Sequence, residues 1–166
     1  MDTVASQSVP VESAQARPSQ VRRVLLATDL RPISERAAEH AIALAAQAGA
    51  ELIVLSVIDP ASLRLPGGRF LRRVDQERAR VQAEAQVLVD RARAAGVRAT
   101  FLVWEGDPVE TILLAAASEA CDLIVVGSHG RGRLGRMVLG SVSAGLTARA
   151  PGQVVVVPPG PGSTDS

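Results

Sequence analysis

The sequence has few aromatic residues, a single cysteine and no lysine. Aromatic side chains make up 2% of the chain and apolar residues 47%, so any core must be built from Val, Leu, Ile and Ala. The single cysteine, Cys121, excludes an intramolecular disulfide framework and suits a reducing compartment. Because Cys121 precedes an apolar run, we interpret it as an inert structural residue.

Neither charge nor hydropathy directs the chain to nucleic acid or to a bilayer. The 18 basic and 17 acidic residues leave a formal net charge of +1, which gives no general attraction to polyanions. No apolar run approaches the roughly 18 residues of a membrane span. The first 20 residues lack the charged and then apolar layout of a signal peptide. We therefore expect a cytoplasmic protein with no nucleic-acid partner and no membrane partner.

Strand and helix patterns alternate along the chain. The predicted strands lie at residues 21–28, 51–58, 97–104, 122–126 and 154–157. Helices are predicted between them, beginning near Ser34, Leu71, Asp107 and Ser141. This alternation predicts a single α/β domain over residues 21–158, with a doubly wound parallel sheet and helices on both faces. Residues 1–20 and 159–166 have no periodicity, and we expect them to be disordered tails.

Several local signals mark the helices. Ser34 is the expected N-cap of the first helix, and Gly49 is expected to end it. Asp107, Pro108 and Glu110 form a helix start of the capping-box kind. The predicted inner stripe of the first helix is Ala38, Ala41, Ile42 and Ala45, and that of the second is Val74, Val81, Ala85, Leu88 and Ala92.

The stretch with the strongest indication of a ligand is the glycine-rich segment at 127–143. It follows the apolar run at 122–126, which is typical of a buried strand, and leads into the last helix. Glycines allow backbone N–H groups to approach an anion, and a helix N-terminus adds unpaired donors and a favourable dipole. Ser141 or Ser143 can add a hydroxyl donor. The segment therefore predicts a phosphate site.

Three phosphate-loop patterns compete for this segment. The Walker pattern needs Gly-Lys-Ser/Thr, which the chain lacks. The dinucleotide fingerprint is present over 130–135, but it does not follow the first strand, and the next strand carries no acidic residue. The pattern Gly-x2-Gly-x9-Gly-Ser is met in full by Gly127, Gly130, Gly140 and Ser141.

That last spacing resembles the ATP-binding loop of the universal stress protein family, and the similarity covers roughly residues 21–158. Asp29 at the end of the first strand and Gly106-Asp107-Pro108 before the third helix match further landmarks of the family. Ser56 departs from it, because many relatives have His before the residue equivalent to Val57. The resemblance implies a five-stranded Rossmann-like sheet of order 3-2-1-4-5 that binds one ATP per subunit, accompanied by Mg²⁺ or Mn²⁺.

The resemblance also implies which residues bind the nucleotide. Residues at the ends of the first and second strands would line the adenine and ribose, and the glycine-rich segment would hold the phosphates. The predicted nucleotide-binding residues are Ala27, Thr28, Asp29, Val57, Gly127, His129, Gly130, Arg131, Gly140, Ser141, Val142 and Ser143. No catalytic residue and no protein metal ligand is assigned. For Asp29, capping of the next helix is the alternative role, and for the loop arginines it is simple solvation.

The function that this resemblance implies is an ATP-binding, dimeric, nucleotide-responsive stress regulator. The family commonly dimerises through its last strand, and Val154, Val155, Val156 and Val157 form a flat apolar edge that a symmetric dimer would cover. At most slow ATP hydrolysis is expected, because no general base can be assigned near the glycine segment. The alternatives are an interaction module of the same fold without nucleotide and, less favoured, a slow nucleotide hydrolase.

Overall fold

The computed structural model describes residues 20–63, 70–128 and 140–161. Within these ranges the strands are β1 (Arg23–Ala27), β2 (Glu51–Ile58), β3 (Ala99–Glu105), β4 (Leu123–Gly127) and β5 (Gln153–Val157). The α-helices are α1 (Glu35–Ala48), α2 (Phe70–Ala94), α3 (Pro108–Ser118) and α4 (Ser141–Arg149). Short 3₁₀ turns at Pro32–Ser34 and Pro60–Leu63 follow β1 and β2.

The strands form one parallel sheet of order β3-β2-β1-β4-β5, which confirms the predicted fold class and strand order. β1 lies at the centre, where Leu25 aligns with Ile53 of β2 and Ile124 of β4. β3 is an edge strand, and most of its residues are only partly buried or exposed. β5 forms the opposite edge.

Successive residues of the central strands point into two separate cores, because side chains alternate between the faces of a sheet. Leu26 packs with α1 and α2 on one face, whereas Leu25 packs with α3 and α4 on the other. The central strands β1, β2 and β4 are therefore apolar on both sides, which explains their continuous apolar runs in the sequence.

The alanine stripe of α1 allows this helix to lie close to the sheet. Ala38, Ala41 and Ala45 are at most 3% exposed, as predicted. Ala37 completes the buried stripe, whereas Ile42 is only partly buried at its margin. The helix is thus rotated slightly about its axis relative to the prediction, so that its alanine face, rather than Ile42, lies against the sheet. All five predicted inward residues of α2 are buried, together with Val89.

The helix ends follow the local signals in the sequence. The Asp107 carboxylate accepts a hydrogen bond from the Glu110 N–H at 3.0 Å, which confirms the predicted N-cap of α3. Gly49 ends α1 in the left-handed conformation, with a φ of +64°. In the described ranges, no helix has both the length and the apolar character needed to cross a bilayer.

Candidate functional site

A cleft of about 480 Å³ opens at the carboxyl ends of β1, β2 and β4, on the face that carries α3 and α4. The chain leaves β1 towards β2 on one side, whereas β4 lies on the other, so the cleft is at a topological switch point of the sheet. Open parallel sheets bind their ligands at this position. The described lining residues are Ala27, Thr28, Asp29, Leu55, Val57, Pro108, Ile112, Val126, Gly127, Gly140, Ser141, Val142 and Ser143.

One wall of the cleft is apolar. Leu55 and Val126 are buried sheet residues, and Ile112 of α3 packs against the same core. Val57 lies at the margin of that core and is only partly buried. These side chains give the cleft a surface that suits a flat, weakly polar group such as a heterocyclic base.

The opposite side of the cleft is the N-terminus of α4. The first helical hydrogen bond runs from the Ala144 N–H to the Gly140 carbonyl at 2.9 Å. The N–H groups of Ser141, Val142 and Ser143 therefore precede the intrahelical ladder and have no acceptor within α4. Because these residues line the cleft, their donors and the positive end of the helix dipole favour an anion there.

The two serines of this turn have different positions. The Ser143 side chain is 1% exposed, and its hydroxyl donates to the Gly140 carbonyl at 3.0 Å. Its proton is thus used to fix the helix start, so a ligand contact from Ser143 falls to its backbone N–H. Ser141 is exposed and has the hydroxyl better placed to meet a ligand.

The turn after β1 presents Asp29 to the cleft. The Asp29 Oδ1 accepts hydrogen bonds from the Arg31 N–H at 3.1 Å and from the Ser34 hydroxyl at 2.7 Å. Ser34 is the N-cap residue of α1, as predicted, but its hydroxyl makes no capping bond because it is turned towards Asp29. Asp29 therefore shapes the approach to α1 as well as lining the cleft.

Every predicted site residue within the described ranges lines this one cleft. Their role as nucleotide ligands remains a prediction. His129, Gly130 and Arg131 lie outside the described residues, as do Arg133 and Arg136.

The sequence reasoning missed four lining residues: Leu55, Pro108, Ile112 and Val126. Pro108 belongs to the Gly-Asp-Pro landmark, so a signal was present in the sequence. For the other three the only signal was an apolar residue in a strand or helix, which does not distinguish a cleft wall from the core.

The described part of the cleft offers little to a metal ion. Asp29 carries the only carboxylate among its described lining residues. No three His, Cys, Asp or Glu side chains of the described ranges are close enough together to form a metal site. Mg²⁺ is often held by one or two carboxylates together with the phosphates of a ligand. With Asp29 as the one carboxylate of the described lining, the cleft could hold Mg²⁺ only if a ligand supplied phosphate oxygens as well.

The fold places the chain among doubly wound α/β proteins, with its cleft at the switch point of the sheet. Within that class, the chain belongs to the universal stress protein family, whose model matches residues 20–158.

Individual relatives agree with this assignment. The chain is 38% identical over 140 residues to the universal stress protein in the QAH/OAS sulfhydrylase 3′ region of Thermus aquaticus, covering 82% of this chain and 98% of that protein. A protein of the family from Burkholderia pseudomallei has a similar structure, with a TM-score of 0.72, 26% identity and coverage of 86% of this chain and 99% of the other. A universal stress protein in complex with cAMP has a TM-score of 0.64 and 28% identity, covering 84% of this chain and 98% of the other.

Proposed function

We propose that the chain binds an adenine nucleotide, ATP together with Mg²⁺ or Mn²⁺, in the cleft between β1, β2, β4 and α4. The observation that carries the proposal is that an apolar wall and a free helix N-terminus face the same space of about 480 Å³. A nucleotide has the complementary layout, with an apolar base at one end and phosphates at the other. The similarity to a relative in complex with cAMP supports the same class of ligand.

Each part of the cleft has a matching part of the nucleotide. Leu55, Val57 and Ile112 would pack against the base, and the Asp29 carboxylate would accept a hydrogen bond from a ribose hydroxyl or an amino group. The first N–H groups of α4 would bind phosphate oxygens. A divalent cation would be held largely by the phosphates, with Asp29 the one carboxylate of the described lining.

The proposal extends to a regulatory role. We infer a cytoplasmic, dimeric protein in which bound ATP changes the surface offered to other proteins, with at most slow hydrolysis. No described lining residue is a histidine or a lysine, and Asp29 is already engaged by the Arg31 N–H and the Ser34 hydroxyl. The cleft therefore lacks an evident general base among its described residues.

The first experiment identifies the ligand. Freshly purified protein is heat-denatured, and the supernatant is analysed for released nucleotide by mass spectrometry. Protein that carries no nucleotide is titrated calorimetrically with ATP, ADP, AMP and cAMP, with and without Mg²⁺. ATP near one per chain supports the proposal, whereas the absence of binding to all four would favour the interaction module. A phosphate-release assay tests the hydrolase alternative.

A matched pair of glycine variants tests the position of the site. Gly140 has a φ of −60° and a ψ of 160°, which any residue can adopt, so Gly140→Val tests bulk at the phosphate end rather than backbone strain. Gly152, at the opposite end of β5 from the cleft, has room for a side chain, and Gly152→Val is the control. We expect at least about tenfold weaker ATP binding for Gly140→Val alone, since tenfold corresponds to about 1.4 kcal/mol. Equal affinities in the two variants would place the ligand elsewhere.

A further inference from the structure

Arg80 contacts the Asp29 turn from outside the cleft. It belongs to α2, which packs on the face of the sheet opposite to α3 and α4. A helix that follows a parallel strand begins at the carboxyl edge of the sheet and runs back along it, and Arg80 is the eleventh of the 25 residues of α2. From there the Arg80 Nη2 donates to the backbone carbonyl of Asp29 at 3.1 Å.

The guanidinium of Arg80 is held in one orientation by Glu77. Nη2 donates to Oε1 of Glu77 at 2.6 Å, and Nε donates to Oε2 at 3.1 Å. This two-pronged pairing fixes the plane of the guanidinium as well as its position. The bond from Arg80 holds the pKa of Glu77 below its usual value, and Arg31, at 3.7 Å, adds to the effect. The pair is therefore charged throughout the neutral range.

The turn that Arg80 holds contains an unusual backbone. Leu30, directly after Asp29, has a φ of +58°, a left-handed conformation that side chains with a Cβ disfavour. Its N–H donates to the Thr28 hydroxyl oxygen at 3.0 Å, and its side chain packs against the core under α1 and α2. A strained residue persists only where its surroundings determine the conformation, and such residues are frequent at ligand sites.

We propose that Arg80, oriented by Glu77, is a positioning residue for nucleotide binding that acts through Asp29. This inference rests on the proposed nucleotide function. The Arg80 bond and the two bonds to Oδ1 act on opposite ends of the same residue, the carbonyl and the carboxylate. Together they set the direction in which the carboxylate enters the cleft. Arg80 is not among the residues that line that cleft, so its effect on affinity must be indirect.

The test compares Arg80→Met with Arg78→Met by calorimetric titration with ATP. Arg78 is on the same helix and also forms an ion pair, with Glu105, but it has no bond to Asp29 among the described contacts. We expect Arg80→Met to weaken ATP binding about tenfold, as loss of one well-placed charged hydrogen bond does. Arg78→Met should stay within about twofold of the unmodified protein. Arg80→Lys should recover part of the loss, since an ammonium can reach one of the two acceptors but cannot form the fork.

A double-mutant cycle separates positioning of Asp29 from a general structural effect. In an Asp29→Asn background, Arg80→Met should change the ATP affinity by less than about twofold, because the carboxylate that Arg80 positions is absent. Full additivity of the two substitutions would overturn the inference, as would equal affinities of Arg80→Met and Arg78→Met. If Arg80→Met does not fold, Glu77→Gln takes its place in the cycle, and unchanged affinity there would overturn the inference too. Failure of the unmodified protein to bind any nucleotide is a distinct result, which would overturn the proposed function and this inference with it.

Discussion

Single residues at the cleft serve the fold and the site at the same time. Asp29 lines the cleft and also accepts the hydrogen bonds that shape the approach to α1. Ser143 fixes the start of α4 with its hydroxyl and leaves its backbone N–H facing the cleft. A substitution at either position therefore changes local structure as well as ligand contacts. For this reason the glycine and arginine variants above are better tests of binding than Asp29 or Ser143 alone.

Cys121 is expected to be a poor nucleophile. Burial raises the pKa of its thiol from 9.0 to about 11, and Glu119 contributes in the same direction. At pH 8 such a shift lowers the thiolate fraction by about two orders of magnitude. Alkylation by iodoacetamide should therefore be far slower in the native protein than in urea, where the thiol is exposed. Similar rates in both conditions would contradict this interpretation of Cys121.

The same shift makes stability depend on pH in a defined window. Between pH 9 and about 11 the unfolded thiol is ionised while the native one keeps its proton. The native state then binds more protons than the unfolded state, so this contribution to stability is complete below pH 9 and is lost as the pH rises through about 11. Comparison with Cys121→Ser isolates this contribution from that of other groups that titrate at high pH.

At the scale of elements, the cleft depends on how closely α3 and α4 approach each other. Gly145 of α4 faces Val109 of α3, and a Cβ at Gly145 would lie 2.8 Å from a methyl of Val109. The first turns of both helices line the cleft, through Pro108 and Ile112 on one side and residues 140–143 on the other. The contact at Gly145 therefore helps to set the width of the cleft.

We expect Gly145→Ala to destabilise the protein by about 1–3 kcal/mol through overpacking, although alanine is the better helix former by about 1 kcal/mol. Thermal or urea unfolding measures the change. Val109→Ala introduced together with Gly145→Ala should restore much of the loss, since it removes the methyl groups that clash. If Gly145→Ala by itself raises the free energy of unfolding, the inferred close contact between Gly145 of α4 and Val109 of α3 is wrong.

At the scale of the whole molecule, the sheet has two edges with different protection. β3 is held to α2 by several contacts, among them the bonds from Arg93 to the Ala99 carbonyl and the ion pair between Arg78 and Glu105. The middle of β5 consists of valines that are only partly buried. An edge strand with apolar, uncharged side chains is suited to pairing with the same strand of another copy. The dimer through β5 therefore remains our proposal.

Sedimentation equilibrium over a range of protein concentrations tests that dimer. Val154→Lys places a charge on the β5 edge and should shift the equilibrium to monomer, whereas Val87→Lys, on the exposed surface of α2, adds the same charge and should not. Circular dichroism establishes that both variants are folded. A monomer at all concentrations of the unmodified protein, or a dimer unaffected by Val154→Lys, would exclude the β5 interface.

Strand and helix positions were predictable because their signals are local. The apolar run at 51–58 coincides with β2, the Asp107 start signal coincides with the N-cap of α3, and Gly49 ends α1 as expected. β1 was predicted over 21–28 but spans only Arg23–Ala27. Hydrogen bonding to β2 and β4, rather than the apolar pattern, sets the ends of β1. The sequence likewise predicted the cleft residues at the strand ends and at α4, through the glycine spacing and the family resemblance that it supports.

The sequence by itself thus determined the order of elements and the parallel sheet, because these follow from local periodicity and chain connectivity. The strand order, and with it the switch point at which a ligand can bind, came from the family resemblance that the glycine spacing supports. Only the tertiary structure decided that Ile112 of α3 closes the cleft, that the Ser34 hydroxyl turns to Asp29, and that Arg80 reaches the Asp29 carbonyl. Those contacts join residues that are distant in the chain or depend on the rotation of a helix about its axis. Such geometry is set by the packing of α1, α2 and α3 on the sheet, and no local pattern encodes it.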